Sequence, residues 1–228
     1  MAAALAMESN PDIMNKYLKR LGVSDKWRMV DVVSLDEDAL NWIPRPVLAM
    51  MLLFPLSKTY EDLRSQQEED LAKIGHQAPK DVFHLKQVLS NICGTIALVH
   101  SVANNTNHIE LEEGLLKNYL KDADGLDAAA KGALLENSAP MLEAYKDIVA
   151  SSSQDDVSSP DAVSNHFVTF VQKDGTLYEL DGRKSFPIDH GATTDDQFVE
   201  DAARILRDFI SREPNNIGFN VMALVQDQ

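Results

Sequence analysis

The sequence holds a single cysteine, Cys93, among its 228 residues. One thiol closes no internal disulfide and supplies no four-thiolate metal site, so a disulfide-stapled secreted scaffold and a zinc ribbon are both excluded and a reducing, cytoplasmic compartment is expected. Glycine and proline are scarce, at 10 and 9, which excludes collagen-like and low-complexity chains. Long apolar runs are missing. The stretch 47–54 is too short to cross a bilayer, and the apolar residues 1–7 lack a basic segment and run into Glu8 and Pro11, so they read as neither signal peptide nor membrane span. Clustered positive charge is also absent: 21 Lys and Arg stand against 36 Asp and Glu, a net charge of −15. That balance argues against nucleic acid and anionic membranes and favours a basic partner, although excess charge also serves solubility alone.

What is present describes a folded protein. Hydrophobic residues make up 44% of the chain, enough to bury a real core, and the length fits one large domain or two small ones. Asn10 as cap, Pro11 at the first position and apolar residues at helical spacing predict a helix over 11–21, stopped by Gly22. A strand at 27–33, a short helix at 36–42 and an unbroken apolar strand at 47–54 follow, the last suited to the middle of a sheet. Residues 58–80 are polar, a solvated helix or loop to which no chemistry is assigned. A short strand is expected at 82–85, a buried helix at 93–104 and further helices at about 110–121, 125–136 and 140–149. The Ser-rich stretch 150–160 reads as linker-like. Strands at 166–172 and 176–181 flank Asp174-Gly175, a hairpin signal, before a helix at 195–212 and a strand at 219–225.

Cys93 opens the buried helix, where unpaired N–H groups and the helix dipole favour a thiolate. Gly94 beside it is expected to admit a substrate backbone. The alternative is a buried, inert thiol. Among six histidines, hairpin parity singles out His166. A two-residue turn pairs Lys173 with Thr176, which places Asp181 opposite Val168 on the face of His166, within reach of the imidazole. A three-residue turn would separate them, and a surface pair on an edge hairpin is the alternative. His100, inside the apolar helix, is read as a core histidine. Attack on a carbonyl also needs oxyanion donors, for which the Cys93 N–H and the Gln87 side chain are candidates. The histidines and carboxylates show no HExxH-type or Cys-rich spacing, so neither metal nor organic cofactor is implied.

Gln87-x5-Cys93-Gly94-Thr95, Asn104-Asn105, His166-Phe167 and Leu177-Tyr178-Glu179-Leu180-Asp181-Gly182-Arg183-Lys184 together resemble the ubiquitin carboxyl-terminal hydrolase family of cysteine peptidases. Glu8-Ser-Asn-Pro11, Ile43-Pro-Arg-Pro46 and Leu52-Leu-Phe-Pro55 extend the similarity over nearly the whole chain, closest to the short L-type members. The resemblance implies a single domain over 1–228 and an α/β fold with a papain-like core, a central antiparallel sheet flanked by helices and a knotted backbone. It implies Cys93 as nucleophile, His166 as base and then acid, Asp181 as its orienting partner and Gln87 as oxyanion donor. The reaction implied is hydrolysis of esters, thioesters and amides at the C-terminal glycine of ubiquitin. That basic, diglycine tail would suit an acidic groove. Met7 and Glu8 would touch ubiquitin. A crossover loop at about 150–164, including Ser151, Ser152, Ser153, Gln154, Asp155 and Asp156, would restrict leaving groups to small or unfolded ones. A monomer is expected. The alternative of a different class is a ubiquitin-binding protein without turnover.

Overall fold

The first helix is built where its caps stand: Asn10 accepts from the Asp12 N–H, Pro11 occupies the first turn, and Gly22, at φ 96°, donates back to the Leu18 and Lys19 carbonyls. The computed structural model describes residues 7–76, 79–89, 91–152, 165–214 and 217–227. Along the chain run α1 (Pro11–Leu21), β1 (Trp27–Asp31), α2 (Glu37–Leu40), β2 (Val47–Pro55), α3 (Lys58–Lys73), α4 (Cys93–Ala103), α5 (Leu115–Asp122), α6 (Ala128–Asn137), α7 (Ala139–Ser152), β3 (Asn165–Lys173), β4 (Thr176–Leu180), β5 (Ile188–Ala192), α8 (Phe198–Ser211) and β6 (Asn220–Gln226). Among the described residues no helix is long and apolar enough to cross a membrane.

The six strands form one sheet in the order β1-β6-β2-β3-β4-β5, with every pairing antiparallel. Its unbroken apolar run puts β2 in the interior, because both faces are covered. Ala49 and Met51 pack into a core shared with α1, α4, α5 and α7, while Met50, Leu52 and Phe54 pack into a second core against α8. Along α8, Phe198, Val199, Ala202, Ala203, Leu206 and Phe209 are buried at three- and four-residue spacing, a single apolar stripe laid on the sheet. Helix α4 is different: each residue from Cys93 to Val102 is buried. Thr169 on β3 donates to the Ala97 carbonyl at 2.9 Å and pins that helix to the sheet.

Three expectations need correction. Residues 82–85 form no ladder. The Asn104 side chain takes the place of a strand partner, accepting from the Phe83 N–H at 2.7 Å and donating to its carbonyl at 2.9 Å. Residues 188–192, expected in no element, form the edge strand β5; weak apolar alternation and Gly191 at φ 97° hide it from a period-2 search. Residues 150–152 close α7 instead of opening the loop, while Ser153, Gln154, Asp155 and Asp156 lie outside the described residues.

The segment ahead of α4 is held by a bare helix face. The Lys86 N–H donates to the Ala128 carbonyl at 2.8 Å, and a Cβ on Gly132, one turn along α6, would lie 1.9 Å from the Lys86 carbonyl oxygen. Only glycine tolerates such a backbone approach. Gly132→Ala is therefore expected to cost on the order of 3 kcal/mol, a lowering of roughly 6–12 °C in the thermal unfolding midpoint read by calorimetry. An unchanged midpoint would show that α6 moves aside freely.

Candidate active site

Hairpin register builds half of the site. Lys173 pairs with Thr176 and Thr169 with Leu180 across Asp174-Gly175, which is the two-residue turn that parity required. Beyond the ladder, Asp181 follows Leu180 on the same side as His166, and His166 Nε2 donates to Asp181 Oδ1 at 2.7 Å. Both side chains are buried, at 2% and 0% exposure, so neither alternative to this pair, opposite faces or an exposed edge, is what the fold adopts.

Asp181 accepts more than one donor. The Arg183 N–H reaches Oδ1 at 2.8 Å, and the Tyr60 hydroxyl donates to Oδ2. The Asp181 carbonyl meets His84 Nε2 at 3.0 Å and the Lys184 N–H at 3.0 Å. Burial by itself would raise the Asp181 pKa, but His166, then Lys184 and the Tyr60 hydrogen bond, hold the carboxylate well below the usual range. For His166 the largest influence is again burial, which disfavours its cation. The charge and hydrogen bond of Asp181, reinforced by Cys93, outweigh it and hold the imidazole up at about 9. At neutral pH the site contains a buried imidazolium–carboxylate pair.

Cys93 supplies the other half from the opposite layer. It is the first residue of α4, and Ile92 offers no side-chain cap, so the amides of the first turn have no intrahelical acceptor. Cys93 Sγ lies 4.0 Å from the Asn165 carbonyl, one residue before His166. A cavity of about 150 Å³ opens beside Cys93, His166, Gln87 and Asn165, so the structure gathers three of the four candidate catalytic residues around one space. Asp181 stands behind His166, out of that lining. Arg183, Asn91, Leu56, Val88 and Leu89 complete the wall. Among the described residues, none of those lining this cavity is a carboxylate.

Gln87 owes its place to a glycine. Its N–H donates to the Gly182 carbonyl at 2.7 Å, and a Cβ on Gly182 would stand 3.1 Å from both the Gln87 Cβ and Ile96 Cγ2. The Gln87 amide donates one N–H to the Leu89 carbonyl at 2.9 Å. An amide nitrogen carries two donors, so one is left for a ligand. At Gly94 the space a Cβ would take is filled by Met7, whose own Cβ would be 3.0 Å away. Met7 itself is buried at 5%, whereas Glu8 is exposed.

His100 is the core histidine expected. It is fully buried, accepts from the Leu85 N–H at 3.1 Å and stacks on His84 with centroids 5.2 Å apart. Burial pushes both imidazoles down, so they are neutral at pH 7. Asn104 and Asn105 are structural too, the latter donating to the Leu48 and Ser101 carbonyls at 3.0 and 2.8 Å. Sequence reasoning missed Tyr60. It lies in a polar stretch with no apolar periodicity, and the available signal was a lone aromatic three residues after a capping serine, Ser57, which accepts from the Tyr60 N–H at 3.0 Å.

Comparison with known proteins points to one family. Residues 5–211 match the family model described as ubiquitin carboxyl-terminal hydrolase, family 1. The chain is 43% identical over 222 residues to a ubiquitin carboxyl-terminal hydrolase of Drosophila melanogaster, covering 97% of each chain. It is 42% identical over 219 residues to ubiquitin carboxyl-terminal hydrolase isozyme L1 of Equus caballus, 96% of each. The crystal structure of Trichinella spiralis UCH37 bound to ubiquitin vinyl methyl ester superposes with a TM-score of 0.75 at 25% identity, over 98% of this chain and 82% of that one. The catalytic domain of the same protein, also bound to ubiquitin vinyl methyl ester, superposes with a TM-score of 0.77 at 23% identity, over 100% and 97%.

Proposed function

The chain belongs to family 1 of the ubiquitin carboxyl-terminal hydrolases, and on that premise we propose that it is a thiol-dependent deubiquitinase in which Cys93, His166, Asp181 and Gln87 carry the reaction. The observation that supports it best is the buried His166–Asp181 pair at 2.7 Å, beside the only cysteine of the chain. Thiols next to a histidine cation react as thiolates. The Cys93 sulfur attacks the carbonyl carbon of the C-terminal glycine, a C–S bond forms, and the electron pair moves to the carbonyl oxygen. In this reading the free N–H of Gln87 and the amide of Cys93 receive that oxyanion. His166 then gives its proton to the departing oxygen, sulfur or nitrogen as the bond to carbon breaks. In the second half it takes a proton from water, which attacks the thioester and releases ubiquitin.

Ubiquitin is the partner in this reading, with Glu8 as an exposed contact and Met7 as packing beneath Cys93. Residues 153–164 join α7 to β3 immediately before Asn165, which lines the mouth. In this reading small or unfolded leaving groups are preferred, as the family resemblance implies.

Release of a fluorescent leaving group from an ester at the ubiquitin C-terminus tests the proposal. Wild-type protein is expected to turn it over, and kcat/KM is expected to fall as pH rises through about 9, where His166 loses the proton that the leaving group needs. Stability follows with a definite sign. Because folding raises His166 from its ordinary 6.5 to about 9, its contribution is complete below 6.5 and is lost as pH rises through about 9. Denaturant midpoints should therefore fall across that interval. An absence of turnover together with tight ubiquitin binding would favour a protein that only sequesters ubiquitin.

A further inference from the structure

Helix α3 is attached to the rest of the molecule in an unusual way. Over Lys58–Lys73 its one buried residue is Tyr60, so it contributes little apolar area to either core. Its polar residues are directed instead at the loop that carries Asp181. The contacts run in the same order along helix and loop. The Tyr60 hydroxyl donates to Asp181 Oδ2, Arg183 forms an ion pair with Glu61, and Lys184 Nζ donates to Gln67 Oε1 at 2.8 Å. At the far end the Ser185 N–H donates to Glu68 Oε1 at 2.7 Å. Loop residues 181, 183, 184 and 185 are thus matched to helix residues 60, 61, 67 and 68.

Behind this seam, Lys184 is buried in an ion pair with Glu179, whose second oxygen takes a hydrogen bond from His190 Nε2 at 2.8 Å. The loop is held from both sides. Tyr60 differs from the other members in reaching the carboxylate itself. Its ring packs edge-on against Phe54, centroids 4.9 Å apart, and stands 6.2 Å from the His166 ring. Burial, then the charge of Asp181, push the phenol far up, so it remains a donor at every working pH.

We propose that α3 is a polar clamp on the Asp181 loop and that Tyr60 is its positioning residue, fixing the Asp181 oxygen that His166 does not use so that the imidazole is aimed at Cys93. The inference rests on the reading of Cys93, His166 and Asp181 given above. A carboxylate held at both oxygens has one orientation, whereas one held only by His166 and the Arg183 amide is free to rock about its Cα–Cβ and Cβ–Cγ bonds. A hydrogen bond to a charged group is among the stronger ones, and loss of orientation at a reacting centre lowers rate more than binding.

Tyr60→Phe removes only the hydroxyl and keeps the ring in its place against Phe54. It is expected to lower kcat on the ubiquitin C-terminal ester about 10-fold while KM stays within about twofold. Because the chain has one cysteine, alkylation by iodoacetamide reports on Cys93 alone and needs no turnover. The variant should be alkylated several-fold more slowly than wild type at pH 7, since an imidazole no longer aimed at the sulfur activates it less. A merely structural role gives the opposite sign, because loosening the fold exposes a buried thiol and speeds the reaction. Glu68→Gln, at the far end of the seam, should show a smaller slowing. Equal or faster alkylation of Tyr60→Phe overturns the proposal. If wild type turns over no ester, the deubiquitinase reading falls, and the alkylation comparison still decides the role of Tyr60.

Discussion

Cys93→Ala is expected to reduce ester hydrolysis at the ubiquitin C-terminus by roughly ten-thousandfold or more and to leave ubiquitin affinity within about twofold of wild type. The size follows from the chemistry: without sulfur there is no acyl-enzyme, and the remaining donors act only on an uncatalysed attack by water. Binding survives because Cys93 is only 8% exposed at the head of a buried helix and an alanine there removes one atom. Steady-state hydrolysis and titration calorimetry measure the two quantities on the same preparation. Loss of both together would mean that the thiol holds the fold. Persistence of turnover would remove Cys93 from the mechanism, since the chain offers no second thiol.

Asp181→Asn is expected to lower kcat by about 10²- to 10⁴-fold, the second largest effect of any single substitution considered. The carboxylate is what overcomes burial at His166. Once it is neutral, burial dominates and the imidazole falls below its ordinary 6.5, so it carries no proton at pH 7 for the leaving group. The asparagine also turns an N–H toward one of the three donors now satisfied by the carboxylate, those of His166, Arg183 and Tyr60. That leaves a buried donor facing a donor, and stability should fall by about 1–3 kcal/mol. The pH profile is the decisive measurement: the alkaline fall in kcat/KM, near 9 in wild type, should move to lower pH. An unmoved limb would show that some other group titrates there.

Much of the site was legible because its members obey short-range rules. The turn at Asp174-Gly175 sets a register, register sets parity, and parity brings Asp181 to the side of His166. The apolar surface of α4 predicted a buried helix with Cys93 at its head. Tyr60 was illegible for the converse reason. Its helix has no apolar stripe to announce it, and its partner lies 121 residues away. Residues 82–85 misled because an extended, apolar segment has the look of a strand, whereas its backbone is paired to the side chain of Asn104. At Gly94 the missing side chain announced a close neighbour without naming it, and Met7 is one such neighbour.

The antiparallel hairpin, the interior position of β2, the capped ends of α1, the reading of Cys93 with His166 and the family to which the chain is assigned could all be read from residue order alone. Each rests on periodicity, turn chemistry or motif order, which act over a few residues or survive as a pattern along the chain. The reach of α3 across to the Asp181 loop and the space that Gly182 and Gly132 keep for the Gln87 segment came from the folded chain alone. Those are contacts between residues far apart in sequence, and their energies depend on distances of a few tenths of an ångström that no local pattern encodes.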